Sequence, residues 1–281
     1  MKKILATILA MILVLCSAAL AEEINVISRE DGSGTRGAFI ELFGIEQKDA
    51  DGNKVDYTTD DADITNSTSV MMTSVAGNPA AIGYISLGSL NESVKALEID
   101  GVAASVENVK AGSYKVVRPF NIATQSEVSE AAQAFIDFIL SADGQAVVEA
   151  NGYIAAVDDA PAFAGSDVSG KVVVAGSSSV TPVMEKLREA YLALNPNAEI
   201  EVQQSDSTAG MTSTIDGVCD IGMASRELKD SELEAGLTST VIARDGIAVI
   251  VSNDNPAVGL TTDQVRAIYM GEVTDWDEVN G

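Results

Sequence analysis

KVVVAGSSSVTPVMEKLREAYLAL, residues 171–194, contains a strand, a turn and a helix in one unbroken run. Lys171 to Ala175 is a β-branched apolar stretch of the kind buried in a sheet. Gly176-Ser177-Ser178-Ser179-Val180-Thr181-Pro182 follows, and Val183 to Leu194 then places Met184, Leu187, Tyr191 and Leu194 on one helical face. Pro182 suits a first helical turn, where its missing N–H costs nothing. A strand that passes through Gly and hydroxyl residues straight into a helix leaves backbone N–H groups pointing outward among small donors, which is the make-up of an anion site. The same design recurs upstream. Ile24 to Ile27 reads as a strand, Ser28-Arg29-Glu30-Asp31-Gly32-Ser33-Gly34-Thr35-Arg36 as the loop and Gly37 to Phe43 as the helix. A third copy runs from the strand Glu199–Val202 through Gln204-Ser205-Asp206-Ser207-Thr208-Ala209-Gly210 to a helix at Met211–Ile215. Two such loops facing each other would grip one small oxyanion.

The rest of the chain fits between these units. Gln47 to Asp63 is polar and turn-rich and is expected to be an irregular surface stretch; Ser67 to Ala76 can form a helix, and Ala81 to Ile85 a strand after the turn Gly77-Asn78-Pro79. Val94–Ile99 and Tyr114–Ile122 read as strands, and Ser129–Leu140 and Gly144–Ala150 as helices. Asp158 to Gly170, rich in Asp, Ala, Gly and Ser, reads as a linker. Asp220 to Ala224 is a short strand ending at Ser225-Arg226, Thr240 to Val251 a long one, and Thr261 to Tyr269 a helix. Strands alternating with helices of this length predict an α/β fold with parallel sheets, whose ligands sit beyond the carboxyl ends of strands.

Composition narrows the function classes. With 281 residues and 46% hydrophobic content the chain can bury one or two substantial cores. Residues 1–21 have the pattern of a secretory signal, with Lys2 and Lys3, an apolar run from Ile4 to Leu15, and Ala19-Leu20-Ala21 as the cleavage site, so the mature protein is expected to be exported, periplasmic or extracellular. Lipidation at Cys16 would want a small residue in place of Leu15. Cleavage after Ala21 leaves Cys219 as the lone cysteine, which excludes a disulfide framework. Taking Lys2 and Lys3 from the 17 cations leaves 15 against 42 acids, a net charge of −27. Nucleic acid and anionic membranes are poor partners for such a chain. A small anion is not excluded, because oriented dipoles act over a few ångströms while distant carboxylates are screened beyond about 8 Å.

Gly32-Ser33-Gly34-Thr35-Arg36, Gly77 to Tyr84, Gly176 to Pro182, Asp220 to Arg226 and Asp245-Gly246-Ile247-Ala248-Val249 together resemble the phosphate-binding proteins of phosphate ABC importers. The likeness covers nearly the whole mature chain except the linker. It implies a two-lobed, periplasmic-binding-protein-like (type II) fold with crossing hinge strands. It further implies a monomer that captures inorganic phosphate in the interlobe cleft, needs no cofactor, and delivers its ligand to ABC permease and ATPase subunits. The order of the pieces departs from the family. Residues 22–157 resemble its C-terminal half and residues 171–281 its N-terminal half, so the chain resembles a circular permutant, with 158–170 bridging the family's usual ends. A fragment of a tandem or misassembled gene, folding by exchange of halves, is the alternative. In the permuted fold, 171–243 joins 118–157 in one lobe and 24–113 joins 252–281 in the other, with Thr240–Val251 and Tyr114–Ala123 crossing between them.

Carried over residue by residue, the resemblance implies phosphate contacts from Arg29, Ser33, Gly34 and Thr35 of one lobe and Ser179, Val180 and Ser207 of the other. Ser178, Ser225, Arg226 and Asp206 are further candidates. Arg36 would pair with Glu41 or face solvent. Some relatives carry an Asp just after the strand corresponding to Asp220–Ser225, where it accepts the ligand's proton and so rejects sulfate; Arg226 stands there in this chain, leaving Asp206 and Asp31 as possible acceptors. Any one of these loops alone is most simply a capping turn. The rival classes are a secreted phosphate-ester hydrolase and a ligand-free adhesion or scaffold protein. With no His in the chain, a Ser-His-Asp triad and His-based metal sites are absent.

Overall fold

Two long strands, Val117–Thr124 and Thr238–Val251, run antiparallel through the middle of one mixed sheet and belong to both halves of the molecule. The computed structural model describes residues 23–279, so the expected signal segment and Cys16 lie outside the described residues. The sheet order is Ala198–Ser205, Gly170–Ser177, Ile221–Ala224, Val117–Thr124, Thr238–Val251, Ala81–Ser86, Asn25–Arg29, Asp63–Thr65. Each wing is parallel. Gly170–Ser177 lies between and parallel to Ala198–Ser205 and Ile221–Ala224, and Asn25–Arg29 lies in the same way between Ala81–Ser86 and Asp63–Thr65.

Side-chain alternation gives each wing two apolar faces, the pattern expected of a sheet covered on both sides. In one wing Val26, Ile82, Tyr84, Ile247 and Val249 face a core with Phe39, Phe43 and Tyr269, while Ile27, Ala81, Ile85, Ala248 and Ile250 face a second core with Met71 and Val75. In the other wing Phe120, Ile122, Val172, Val174 and Met223 pack with Phe135, Leu187 and Tyr191. Ala123 and Ala224 point to the opposite side, against Met211 and Leu237. The first wing's cores draw on residues 24–116 and 247–279, and the second wing's on residues 120–243. The first lobe is therefore assembled from two separated stretches of chain that meet at the crossing strands, and the second from one continuous span.

The structure differs from the sequence expectation in several places: the expected strand Val94–Ile99 is two short strands in separate sheets, and Val106–Lys110 and Asp230–Glu234 are unexpected short helices. Within the stretch expected to be irregular, Glu46–Lys48 and Lys54–Asp56 form an antiparallel hairpin, and Asp63–Thr65 joins the sheet edge beside Asn25–Arg29. The hairpin turn is built by Asp49, whose Oδ1 accepts from the N–H groups of Asp51 and Asn53. The third donor loop shrinks to Asp206, because the strand continues to Ser205 and the helix starts at Ser207. Asp158 to Ser169 has no regular secondary structure, yet it is fastened at several points. Pro161 O accepts from Ala142 N–H, Phe163 packs on Phe138 and Tyr191, and Val168 O accepts from the buried Asn195.

Candidate functional site

The carboxyl ends of the parallel strands converge on one place, and a helix starts beside nearly every one. Asn25–Arg29 leads to the helix Gly34–Leu42, Asp63–Thr65 to Thr68–Ala76, Gly170–Ser177 to Thr181–Leu194, and Ala198–Ser205 to Ser207–Ile215. Ile221–Ala224 ends at Ser225. Between the helix starts lies a cluster of buried hydroxyls from both lobes: Thr35 and Thr68 on one side, Ser178, Ser179, Ser207 and Ser225 on the other. Thr35 Oγ1 lies 2.8 Å from Ser179 Oγ and 3.5 Å from Ser225 Oγ. Thr68 Oγ1 lies 3.2 Å from Ser179 Oγ and 3.4 Å from Ser178 Oγ. The backbones also join, with Thr208 N–H donating to Gly32 O at 3.1 Å.

One guanidinium faces this cluster. Arg29 is 2% exposed; its Nη2 donates to Ser178 Oγ at 3.1 Å across the cleft. Its Nε and Nη2 also form a two-pronged pair with Glu30, both contacts 2.8 Å. The loop beneath is fixed by Tyr84, whose Oη accepts from Arg29 N–H at 3.1 Å and lies 2.9 Å from Ser28 Oγ. Burial pushes the Tyr84 phenol up to about 12, so it stays protonated, and its ring stacks on Phe39 at 3.9 Å. Helix capping leaves donors over. In the helix Gly34–Leu42, Ser33 Oγ takes the N–H of Arg36 and Ser33 O that of Gly37, so Gly34 and Thr35 hold the N–H groups the cap does not use. Ser67 and Asp206 cap the third residue of their own helices in the same way, leaving Thr68 and Ser207 at the first positions. A cluster of hydroxyls and helix-start amides facing one guanidinium has the donors to hold a compact oxyanion by hydrogen bonds.

A family model described as "PBP superfamily domain" matches residues 10–143 and 161–281. The chain is 59% identical over 258 residues to phosphate-binding protein PstS 2 of Streptococcus agalactiae, which is 92% of this chain and 88% of that one. The chain belongs to the phosphate-binding protein family of ABC importers. The crystal structure of a phosphate ABC transporter, phosphate-binding protein from Streptococcus pneumoniae has 49% sequence identity to it and a TM-score of 0.72, covering 92% of this chain and 99% of that chain. A shorter match, 38% over 121 residues, joins 41% of this chain to 38% of the phosphate-binding protein PstS of Staphylococcus haemolyticus.

Within this family fold, Arg29, Gly34, Thr35, Ser178, Ser179, Ser207 and Ser225 come together at the cleft. Gly34 is pressed so closely that a Cβ there would sit 2.3 Å from Ser207 Oγ and 2.8 Å from Ser225 Oγ. Ser33 sits at the cleft edge with its hydroxyl occupied as a cap. Val180 lies beside the cluster, but its N–H closes a turn on Ser177 O at 3.0 Å. Three charged candidates lie elsewhere. Arg226 forms a two-pronged pair with Glu232, at 2.9 and 2.8 Å, and also reaches Thr208 Oγ1, so its guanidinium is directed away from the cluster. Asp31 is almost fully exposed and pairs with Arg36, which also binds Asp56 and Arg29 O instead of Glu41. Asp206 caps its helix through Ala209 N–H, and its carboxylate lies against Gly32 Cα. Sequence reasoning missed Thr68. The run Thr65-Asn66-Ser67-Thr68-Ser69 is a donor-rich helix start like the other three, and that was the available signal.

Proposed function

We propose that the chain captures inorganic phosphate between its two lobes and presents it to the permease and ATPase of an ABC importer outside the cytoplasm. The observation that carries this reading is the interlobe cluster in which Arg29 meets Ser178 and Thr35 meets Ser179, in a chain of this family. In the proposed site, Arg29 spans two phosphate oxygens, the N–H groups of Gly34 and Thr35 and the hydroxyl of Thr35 donate from one lobe, and Ser178, Ser179, Ser207 and Ser225 donate from the other. Contacts from both sides favour the closed form, so binding shifts the population towards closure. The role is binding without catalysis. Among the described residues no helix is long and apolar enough to cross a membrane.

The proposed order of the halves is a circular permutation relative to part of the family. Two kinds of observation support it. Ile24 N–H bonds Thr274 O at 2.8 Å and Glu23 bridges Asp275, so residues 274–275 lie against the first described strand. One lobe core combines residues 24–116 with 247–279, and the match to the staphylococcal protein spans less than half of either chain.

Isothermal titration of residues 22–281 with phosphate and then sulfate tests the function. Saturable one-to-one phosphate binding is expected, and absence of heat with a folded protein would refute it.

A further inference from the structure

Behind the hydroxyl cluster, the crossing strands carry a buried ion pair that phosphate contact does not explain. Arg118 and Asp245 stand directly opposite each other in the register of Val117–Thr124 and Thr238–Val251. Their side chains are 1% and 0% exposed. Arg118 Nε and Nη2 both donate to Asp245 Oδ2, at 3.2 and 3.0 Å. Burial raises the Asp245 carboxyl above its ordinary range and lowers the Arg118 guanidinium. Such a pair is expensive to desolvate, and well-packed apolar residues would serve stability as well or better. Its other contacts lead to both lobes. Asp245 Oδ1 accepts from Ser86 Oγ at 3.0 Å and from Gly88 N–H at 3.4 Å, in the lobe that carries Arg29. Arg118 Nη1 donates to the carbonyl of Ser225 at 3.1 Å, in the other lobe.

Ser225 belongs to the proposed site. Its hydroxyl accepts from Ser177 Oγ at 2.9 Å and lies 3.5 Å from Thr35 Oγ1. Its N–H donates to Ser207 Oγ at 3.1 Å. The next residue is tied to the same strand, since Asn121 Nδ2 donates to Arg226 O at 2.9 Å, and Asn121 Oδ1 in turn accepts from Ser239 on the other crossing strand. The loop that offers Ser225 to the ligand, and that bonds Ser207 through its N–H, is thus hung from the hinge by two side chains, and the charged one is locked by Asp245.

We infer that Arg118, held by Asp245, is a positioning residue for phosphate capture: it fixes the Ser225 carbonyl to the hinge, so that closing the lobes and completing the donor set are one event. This rests on the phosphate reading of the cleft. Arg118 touches no ligand and acts through Ser225.

The test uses R118K, which keeps a cation opposite Asp245 but lacks the planar fork, and R118M/D245N, which removes both charges while Asn keeps an oxygen for Ser86 and Gly88. Phosphate affinity and dissociation rate are measured beside the denaturant midpoint without phosphate. The unaltered chain is titrated first, so that failure there condemns the phosphate reading and not the hinge assignment. Expected are phosphate affinity at least tenfold weaker in both variants, faster dissociation, and an R118K midpoint close to that of the unaltered chain. Faster amide exchange at Ser225 and Arg226 in folded R118K is also expected. Binding within twofold of the unaltered chain in either folded variant overturns the assignment. So does failure of both variants to fold, which would make the pair a fold element only.

Discussion

The two loops that face each other across the cleft share a design but divide the labour. In Ser28–Arg36 the hydroxyl of Ser33 is consumed in capping its own helix, and the loop contributes a guanidinium and two free amides. In Gly176–Pro182 the helix N-cap is Val180, with no side-chain cap, and Pro182 needs no partner for a missing N–H. Ser178 and Ser179 are therefore released from local work, and their hydroxyls reach Arg29 and Thr35, while Ser177 Oγ both accepts from Ser179 N–H and donates to Ser225. The first loop brings the charge with its amides and the Thr35 hydroxyl, and the second brings neutral donors alone. A chain carrying 42 acids can thus hold an anion with a single buried cation facing it, provided the second lobe closes.

The largest effect should come from the loop that carries the charge. Arg29→Met removes the guanidinium and leaves Glu30 unpaired, and calorimetry should show phosphate affinity falling on the order of a hundredfold. Retained affinity would mean that the hydroxyls suffice and that the division of labour is wrong. Next is closure. Gly34→Ala places a methyl 2.3 Å from Ser207 Oγ, a clash that exists only when the lobes meet. Affinity should fall roughly tenfold to a hundredfold by overpacking, while the thermal midpoint without phosphate stays near that of the unaltered chain.

The sharpest contrast pairs one serine from each loop. Ser178→Ala should weaken phosphate binding about tenfold with little change in stability, because it removes a bond to Arg29 and no cap. Ser33→Ala should lower stability by about 1 kcal/mol, as loss of an N-cap does. Denaturant melts and titrations on the two variants must separate in that way, and matching losses would erase the distinction between the loops.

The smallest expected effect concerns Arg226, the cation that turned away from the cleft. Burial raises the Glu232 carboxyl, but the Arg226 fork and the Lys229 N–H outweigh it and hold it below its usual 4.5. A carboxylate with a depressed folded value contributes stability that is present above pH 4.5 and is lost as pH falls through the lower folded value. In E232Q the acid limb of stability against pH should therefore be shallower, with phosphate affinity at neutral pH little changed.

Local signals carried much of this architecture. The β-branched run at Lys171–Ala175, the apolar helix face through Leu187 and Tyr191, and the repeated Gly-hydroxyl turns placed the strands, the helix starts and most of the cleft donors. What stayed hidden depends on contacts made over long distances in the chain. Glu46–Lys48 and Lys54–Asp56 are short polar strands without alternation, held by the Asp49 turn. Thr68 becomes a cleft residue only because Asp63–Thr65 aligns beside Asn25–Arg29. The direction of Arg226 is set by Glu232, six residues on, and Arg118 meets Asp245 across 127 residues of chain. Neither pairing has a periodicity to betray it.

The most direct test is a crystal structure of the phosphate complex. The expected result is a phosphate whose oxygens lie within hydrogen-bond distance of Arg29, Gly34 and Thr35 in one lobe and of Ser178, Ser179 or Ser207 in the other. Phosphate held by one lobe alone, or seated outside the hydroxyl cluster, would contradict it.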